Sequence, residues 1–192
     1  GTWRVAAYTD PKAPAIGEAS FLVEDYVPER LEVTLESATP NLTRGAPATI
    51  DVAARYLYGA PGAGLEVSGT VLVQQAGGNG IKGLEGFSVG LDDERVEAAS
   101  TEIDARTTTD AVGKARLVVP VQALAAPRPT EARITLQVGE PGGRALSRSL
   151  TLPILPEGPV LAIRKGFGGD LTEGSVAGFD VVMAAPDGRR LS

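Results

Sequence analysis

The chain has no cysteine and no histidine among its 192 residues. The first absence removes disulfides and thiolate metal ligands, and it leaves the redox compartment unmarked. The second removes the commonest general base and the commonest nitrogen ligand, so the familiar zinc enzymes and most hydrolase triads are excluded together. Aromatic residues make up only 5%, with one Trp and four Tyr, which is little from which to build the exposed aromatic face of a carbohydrate-binding sandwich. Positive charge is also short: the net charge is −6 and the pI is near 4.8. Arg164-Lys165 and Arg189-Arg190 are isolated pairs, read as solvated turns or strand ends, so no nucleic-acid footprint is expected. No apolar run approaches the ~18 residues of a membrane-crossing helix, and no signal-peptide pattern opens the chain, so no membrane insertion by this segment is expected.

What remains is 43% apolar and 22% charged, with 24 Gly and 14 Pro punctuating runs rich in Val, Thr, Ile and Leu. That composition predicts many short strands separated by turns, and hence an all-β fold. Thr2 to Tyr8 alternates, with Trp3, Val5 and Ala7 on one face, and Ala19 to Tyr26 forms a second strand before a boundary near Val27-Pro28. Trp3 is expected in the core of a preceding module. Alternation restarts at Leu31, Val33 and Leu35, continues from Thr49 to Tyr58, and resumes from Leu65 to Gln74. The phrase from Ala54 to Val67, with Gly59 to Gly64 at its centre, reads as a hairpin.

After Ala76-Gly-Gly-Asn-Gly80 the stretch to Leu91 is weakly patterned, and residues 76–99 are expected to be an insertion. Strands follow over Ile103 to Thr109, Lys114 to Val121, Ile134 to Val138 and Leu146 to Leu155, with Pro127 and Pro129 marking a loop and Glu140-Pro-Gly-Gly143 a turn. About seven strands between Leu31 and Leu155 match an immunoglobulin- or fibronectin-like sandwich. Val160 to Ile163 and Phe179 to Met183 open another module, ending after the turn Pro186-Asp-Gly188 without a return strand. Three regions are therefore expected: 1–28, a terminal hairpin of one module; 29–156, a complete sandwich; and 157–192, the first strands of a third. Because the chain opens in mid-strand, it is expected to be a fragment of a longer polypeptide.

Chemistry-bearing candidates are sparse. Asp92-Asp93-Glu94 offers carboxylates to a divalent cation but lacks the EF-hand spacing, and it reads better as an acidic surface loop. Gly166-Phe-Gly-Gly169 lacks the Lys-Ser/Thr ending of a phosphate loop. Asn41-Leu-Thr43 fits a glycosylation sequon that matters only where that pathway exists. Tyr56 and Tyr58 could present an aromatic ligand face, but two apart on a strand they are expected to close one end of the core, their hydroxyls bonded to backbone. No nucleophile has a base beside it, so no catalytic, cofactor-binding or metal residue is assigned and no enzyme is expected.

Three phrases occur in a telling order: Phe21-Leu-Val-Glu-Asp-Tyr-Val-Pro28, running on through Glu29-Arg-Leu-Glu-Val33; Tyr56-Leu-Tyr-Gly-Ala-Pro-Gly-Ala-Gly64; and Thr108-Thr-Asp-Ala-Val-Gly-Lys-Ala-Arg-Leu117. Together they resemble the macroglobulin-like modules of bacterial alpha-2-macroglobulins. The resemblance implies a β-sandwich that scaffolds a broad-range protease trap, in which cleavage of a bait segment collapses the protein around the attacker. It implies other modules of the same polypeptide as partners, proteases as targets of the parent, and a periplasmic or envelope location with a lipid anchor in many members. The family's thioester needs a cysteine, which this segment lacks, and no bait segment is identified in it. A module of a cell-surface adhesin or structural repeat array is the alternative reading of the same sandwich pattern.

Overall fold

Strands form wherever the sequence alternates, because an extended chain sends successive side chains to opposite faces and one face can then be buried. The computed structural model describes residues 1–23, 30–91, 93–126, 128–141 and 143–191. The expected boundary at Val27-Pro28, together with Tyr26, Asp92 and Pro127, lies outside the described residues. Every described element is a strand, so no helix is long and apolar enough to cross a membrane.

The chain divides into two compact units, Gly1–Arg30 and Leu31–Ser192. In the first, β1 (Thr2–Ala7) and β2 (Gly17–Leu22) pair antiparallel from Thr2↔Leu22 to Ala7↔Gly17. Trp3 stands opposite Phe21. Trp3, expected in the core of a preceding module, is 62% exposed in this two-stranded ribbon.

The second unit contains the sandwich. One layer is β3 (Leu31–Ser37), β5 (Ala48–Tyr56) and β9 (Lys114–Val119), in the order β3-β5-β9. The other is β4 (Leu42–Thr43), β11 (Ala145–Leu155), β10 (Thr130–Gly139), β6 (Glu66–Gln75) and β8 (Ala99–Thr108), in that spatial order. All pairings in these layers are antiparallel except the two-residue contact of β4 with β11. The inward positions of β5 (Ala48, Ile50, Val52, Ala54) face those of β10 (Ala132, Ile134, Leu136, Val138) in one apolar core. Outward positions carry ion pairs between directly opposed residues, Arg55 with Glu32 and Arg116 with Asp51, a favourable but small contribution at exposed sites.

Two expectations are corrected here. The phrase from Ala54 to Val67 is not a hairpin: β5 and β6 lie in different sheets, so the Gly/Pro turn is an arch that carries the chain across the core. The return strand thought to be missing after Gly188 is present as β14 (Arg190–Leu191), paired with β13 (Phe179–Ala184). With β12 (Val160–Lys165) and β7 (Ser88–Val89) these make a separate sheet, ordered β14-β13-β12-β7. β7 comes from the expected insertion, whose Ile81, Leu84 and Phe87 form a second small core with Ala162 and Ala184.

Candidate functional site

The second and third sequence phrases, some fifty positions apart in the chain, meet at one end of the sandwich. The arch after β5 and the arch between β8 and β9 both cross from sheet to sheet there, and crossing backbone must find hydrogen bonds that no ladder supplies. The arch after β5 satisfies some of them itself, through the bridge Arg55↔Pro61 and the Gly62 amide on the Ala54 carbonyl, and Thr109 provides those that join the two arches. Its side chain is 4% exposed; its hydroxyl donates to the Gly62 carbonyl at 2.6 Å and accepts the Leu65 amide at 2.9 Å. Its own backbone completes the tie, with the Thr109 amide donating to Leu65 and the Gly64 amide donating to the Thr109 carbonyl.

The next turn locks from the other side. Asp110 accepts the Val112 and Lys114 amides on Oδ1 at 2.9 and 2.8 Å, a side chain mimicking a backbone turn. Gly113 has φ +78°, and its carbonyl accepts the Ala54 amide at 2.8 Å. A Cβ at Gly113 would fall 2.2 Å from the Ala54 carbonyl oxygen, so the approach of the two arches requires glycine. The result is an interlocked pair of arches in which the Thr109 hydroxyl and the Asp110 carboxylate are both engaged by backbone.

Tyr56 packs on the core edge, but its hydroxyl donates to the Glu140 carboxylate at 2.7 Å instead of to backbone. That hydrogen bond, reinforced by partial desolvation and the carboxylate charge, holds the phenol above its ordinary value. Tyr58 lies beyond the end of β5, 77% exposed, with its ring stacked on Tyr56 at 5.1 Å.

On the outer face of β5 and β9 a shallow depression is lined by Thr34, Glu36, Asp51, Asp110, Lys114 and Arg116. One pair of its charges is engaged: Arg116 donates to Asp51 at 2.6 and 3.2 Å, which lowers the Asp51 pKa and raises that of Arg116. The remaining candidates are scattered. Asp93 and Glu94 are exposed, and among the described residues no three acidic side chains gather where a metal ion could be held. Gly166 to Gly169 forms the loop between β12 and β13, closed by the Gly166 amide on the Gly178 carbonyl, and leads into no helix. Within the sequon Leu42 is buried and Asn41 is exposed at the entry to β4. Arg164 is not merely solvated: it pairs with Asp180 at 2.7 Å and lies over the Phe87 ring, 4.6 Å from its centroid.

Sequence reasoning missed Thr109 as the tie between arches, Glu140 as the partner of Tyr56, and Ile81, Leu84 and Phe87 as a second core. The last had a faint signal, three large apolar residues at a spacing of three in an otherwise polar stretch.

The family model described as the Bacterial Alpha-2-macroglobulin MG5 domain matches residues 29–156. An alpha-2-macroglobulin of Xylella fastidiosa (strain Temecula1) is 30% identical over 197 residues, covering 98% of this chain and 12% of that protein. The alpha-2-macroglobulin of Escherichia coli K12 is 26% identical over 204 residues, with the same two coverages, 98% and 12%. Among solved structures, the native conformation of the E. coli protein aligns with a TM-score of 0.69 at 25% identity over 99% of this chain and 13% of that one. The trypsin-activated form aligns with a TM-score of 0.66 at 25% identity, over 98% and 14%. The chain thus spans about an eighth of the length of the curated relatives it matches.

Proposed function

Since the chain belongs to the bacterial alpha-2-macroglobulin family, we propose that it is a scaffold segment of a protease-trapping inhibitor and carries no catalysis of its own. The observation that bears most weight is that one continuous stretch, nearly the whole chain, aligns with a single region of a relative solved both native and after trypsin activation. A fold that is similar to the same relative in both states supports a scaffold role, in which the module would position the parts that react. The interlocked arches suit that role, because each buried hydrogen bond between them resists sliding of one sheet over the other.

We further propose the module boundaries 1–28, 29–156 and 157–192. The break between compact units at Arg30 and Leu31 and the separate sheet built on β12 and β13 support them. The parent would act in the periplasm or cell envelope, where foreign proteases are met, and its partners would be its own flanking modules and the proteases it encloses.

The test is to treat the full-length parent with a panel of proteases while following its hydrodynamic radius and the residual activity on large and small substrates. The trap reading expects compaction after limited cleavage, with activity on large substrates lost and on small ones spared. Progressive degradation without compaction or protection would transfer the sandwich to an adhesive or structural array.

A further inference from the structure

Val73 of β6 stands directly opposite Ala99 of β8 in the antiparallel ladder, so a hairpin loop of about two to five residues would suffice to join the two strands. The chain instead makes a long excursion from Ala76 to Ala98. Loops beyond about 12–15 residues are uncommon in compact domains and usually serve a purpose. This one leaves the sandwich, donates β7 to the edge of β12 at Ala162↔Val89 and Ile163↔Ser88, and buries Ile81, Leu84 and Phe87 against Ala162 and Ala184.

The excursion is a built element. Asn79 ties it together internally: its Nδ2 donates to the carbonyls of Leu84 at 2.6 Å and Phe87 at 2.8 Å, and its Oδ1 accepts the Ile81 amide at 2.9 Å. At its base Gly80 packs so closely on β11 that a Cβ would lie 2.9 Å from that of Pro153. At its far side the turn at Gly188 approaches until a Cβ there would sit 1.8 Å from the Lys82 carbonyl oxygen. Phe87 also receives the Arg164 guanidinium, which is itself held by Asp180.

Among the described residues, the other supports of the hairpin it grips are β14, paired at Met183↔Leu191 and Ala184↔Arg190, and Leu155 of β11, which packs on the same small core. One face of β12 and β13 carries Leu161, Ile163, Val181 and Met183, all exposed; the other face meets the excursion. A two-stranded hairpin is marginal in water by itself. The chain passes from β11 to β12 through the one segment Pro156-Glu-Gly-Pro159, a short linker about which the hairpin could swing if no other contact held it.

We infer that residues 76–91 are an inter-module clamp: the sandwich lends a strand and three apolar side chains to the next module, completing its first sheet and fixing the two as one stiff unit. A second attachment point beside the single linker removes the hinge. The coupling rests on the proposed boundary after residue 156 and does not depend on the parent being a protease trap.

The test uses the 192-residue chain, which has no cysteine of its own. One variant replaces residues 78–90 by a short Gly-Ser link; a milder one carries Leu84→Ala. Amide hydrogen exchange is followed over 160–165 and 179–184 on one side, and over 130–139 and 145–155 on the other. Nitroxide labels at Arg133→Cys and Lys165→Cys report the distance distribution between sandwich and hairpin. In the shortened variant, exchange of the hairpin should accelerate about tenfold or more while the sandwich keeps its protection, and the distance distribution should broaden. Leu84→Ala should shift both in the same direction by less. Unchanged hairpin exchange with a narrow distribution in both variants would overturn the clamp. So would equal loss of protection in β10 and β11, because the segment would then be serving the sandwich itself.

Discussion

The hydroxyl of Thr109 reaches the carbonyl of Gly62 across 47 positions of sequence, and the 2.6 Å hydrogen bond between them joins the two arches that cross the sandwich at one end. Both this carbonyl and the Leu65 amide that the same hydroxyl accepts depend on a side chain that is almost fully buried. Thr109→Val keeps the shape and removes the hydroxyl, leaving a buried donor and acceptor unmatched. It should cost about 1–3 kcal/mol by chemical denaturation, and Thr109→Ser should recover most of the loss. Equal stability of the Thr and Val forms would show that the arches are held by packing alone.

Gly113 supplies the second half of the same junction. An alanine there meets two penalties: a left-handed φ of +78°, unfavourable by about 1–2 kcal/mol for a residue with a Cβ, and a Cβ 2.2 Å from the Ala54 carbonyl oxygen. Relief of that overlap moves backbone whose amide is bonded to Gly113. Gly113→Ala should therefore lose about 3 kcal/mol, with faster hydrogen exchange at the Ala54 and Gly62 amides. A loss no larger than that of an exposed glycine in an open turn would mean that the arches can separate at little cost.

Alternation was legible wherever one face of a strand is buried and the other solvated: Leu31, Val33 and Leu35 in β3, Ile134, Leu136 and Val138 in β10. The destination of each turn was not. Gly59 to Gly64 announces that the chain reverses, but the same residues serve a hairpin or an arch, and the choice is made by which sheet offers β6 a partner. The strands it finds are β8 and, about sixty residues onward, β10. Ile81, Leu84 and Phe87 gave no strand pattern because they lie in consecutive turns, and β14 is two residues long, too short for any periodicity. Tyr58 was misplaced by extending a true alternation one step beyond the end of its strand.

The two faces of the structure predict opposite responses to truncation. Ile134 is completely buried at the centre of the main core, whereas Val181 on β13 is 57% exposed. Ile134→Ala should destabilise the sandwich by about 2–5 kcal/mol, through lost burial and the cavity left behind. Val181→Ala should change it by less than about 0.5 kcal/mol. Chemical denaturation followed by far-ultraviolet circular dichroism would check both. A large effect at Val181 would show that its face is covered in solution, for instance by a second copy of the chain.

The Tyr56 phenol donates to the Glu140 carboxylate at 2.7 Å, and its pKa is raised above the ordinary value of 10.0. A group whose folded pKa lies above its unfolded one contributes stability that is fully present below the unfolded pKa and is lost as pH rises through the folded one. The contact should therefore support the fold throughout neutral and mildly alkaline pH and fail only above about pH 10. Phenolate absorbance, taken as the difference between the parent chain and Tyr56→Phe, should show this tyrosine titrating above the ordinary value. Glu140→Gln should bring the midpoint back toward it, because the amide can still accept the hydrogen bond but no longer repels the phenolate with a full charge. A midpoint at or below the ordinary value with Glu140 intact would mean that the two side chains are apart in solution, and that packing on the core edge and the Tyr58 ring hold Tyr56 in place.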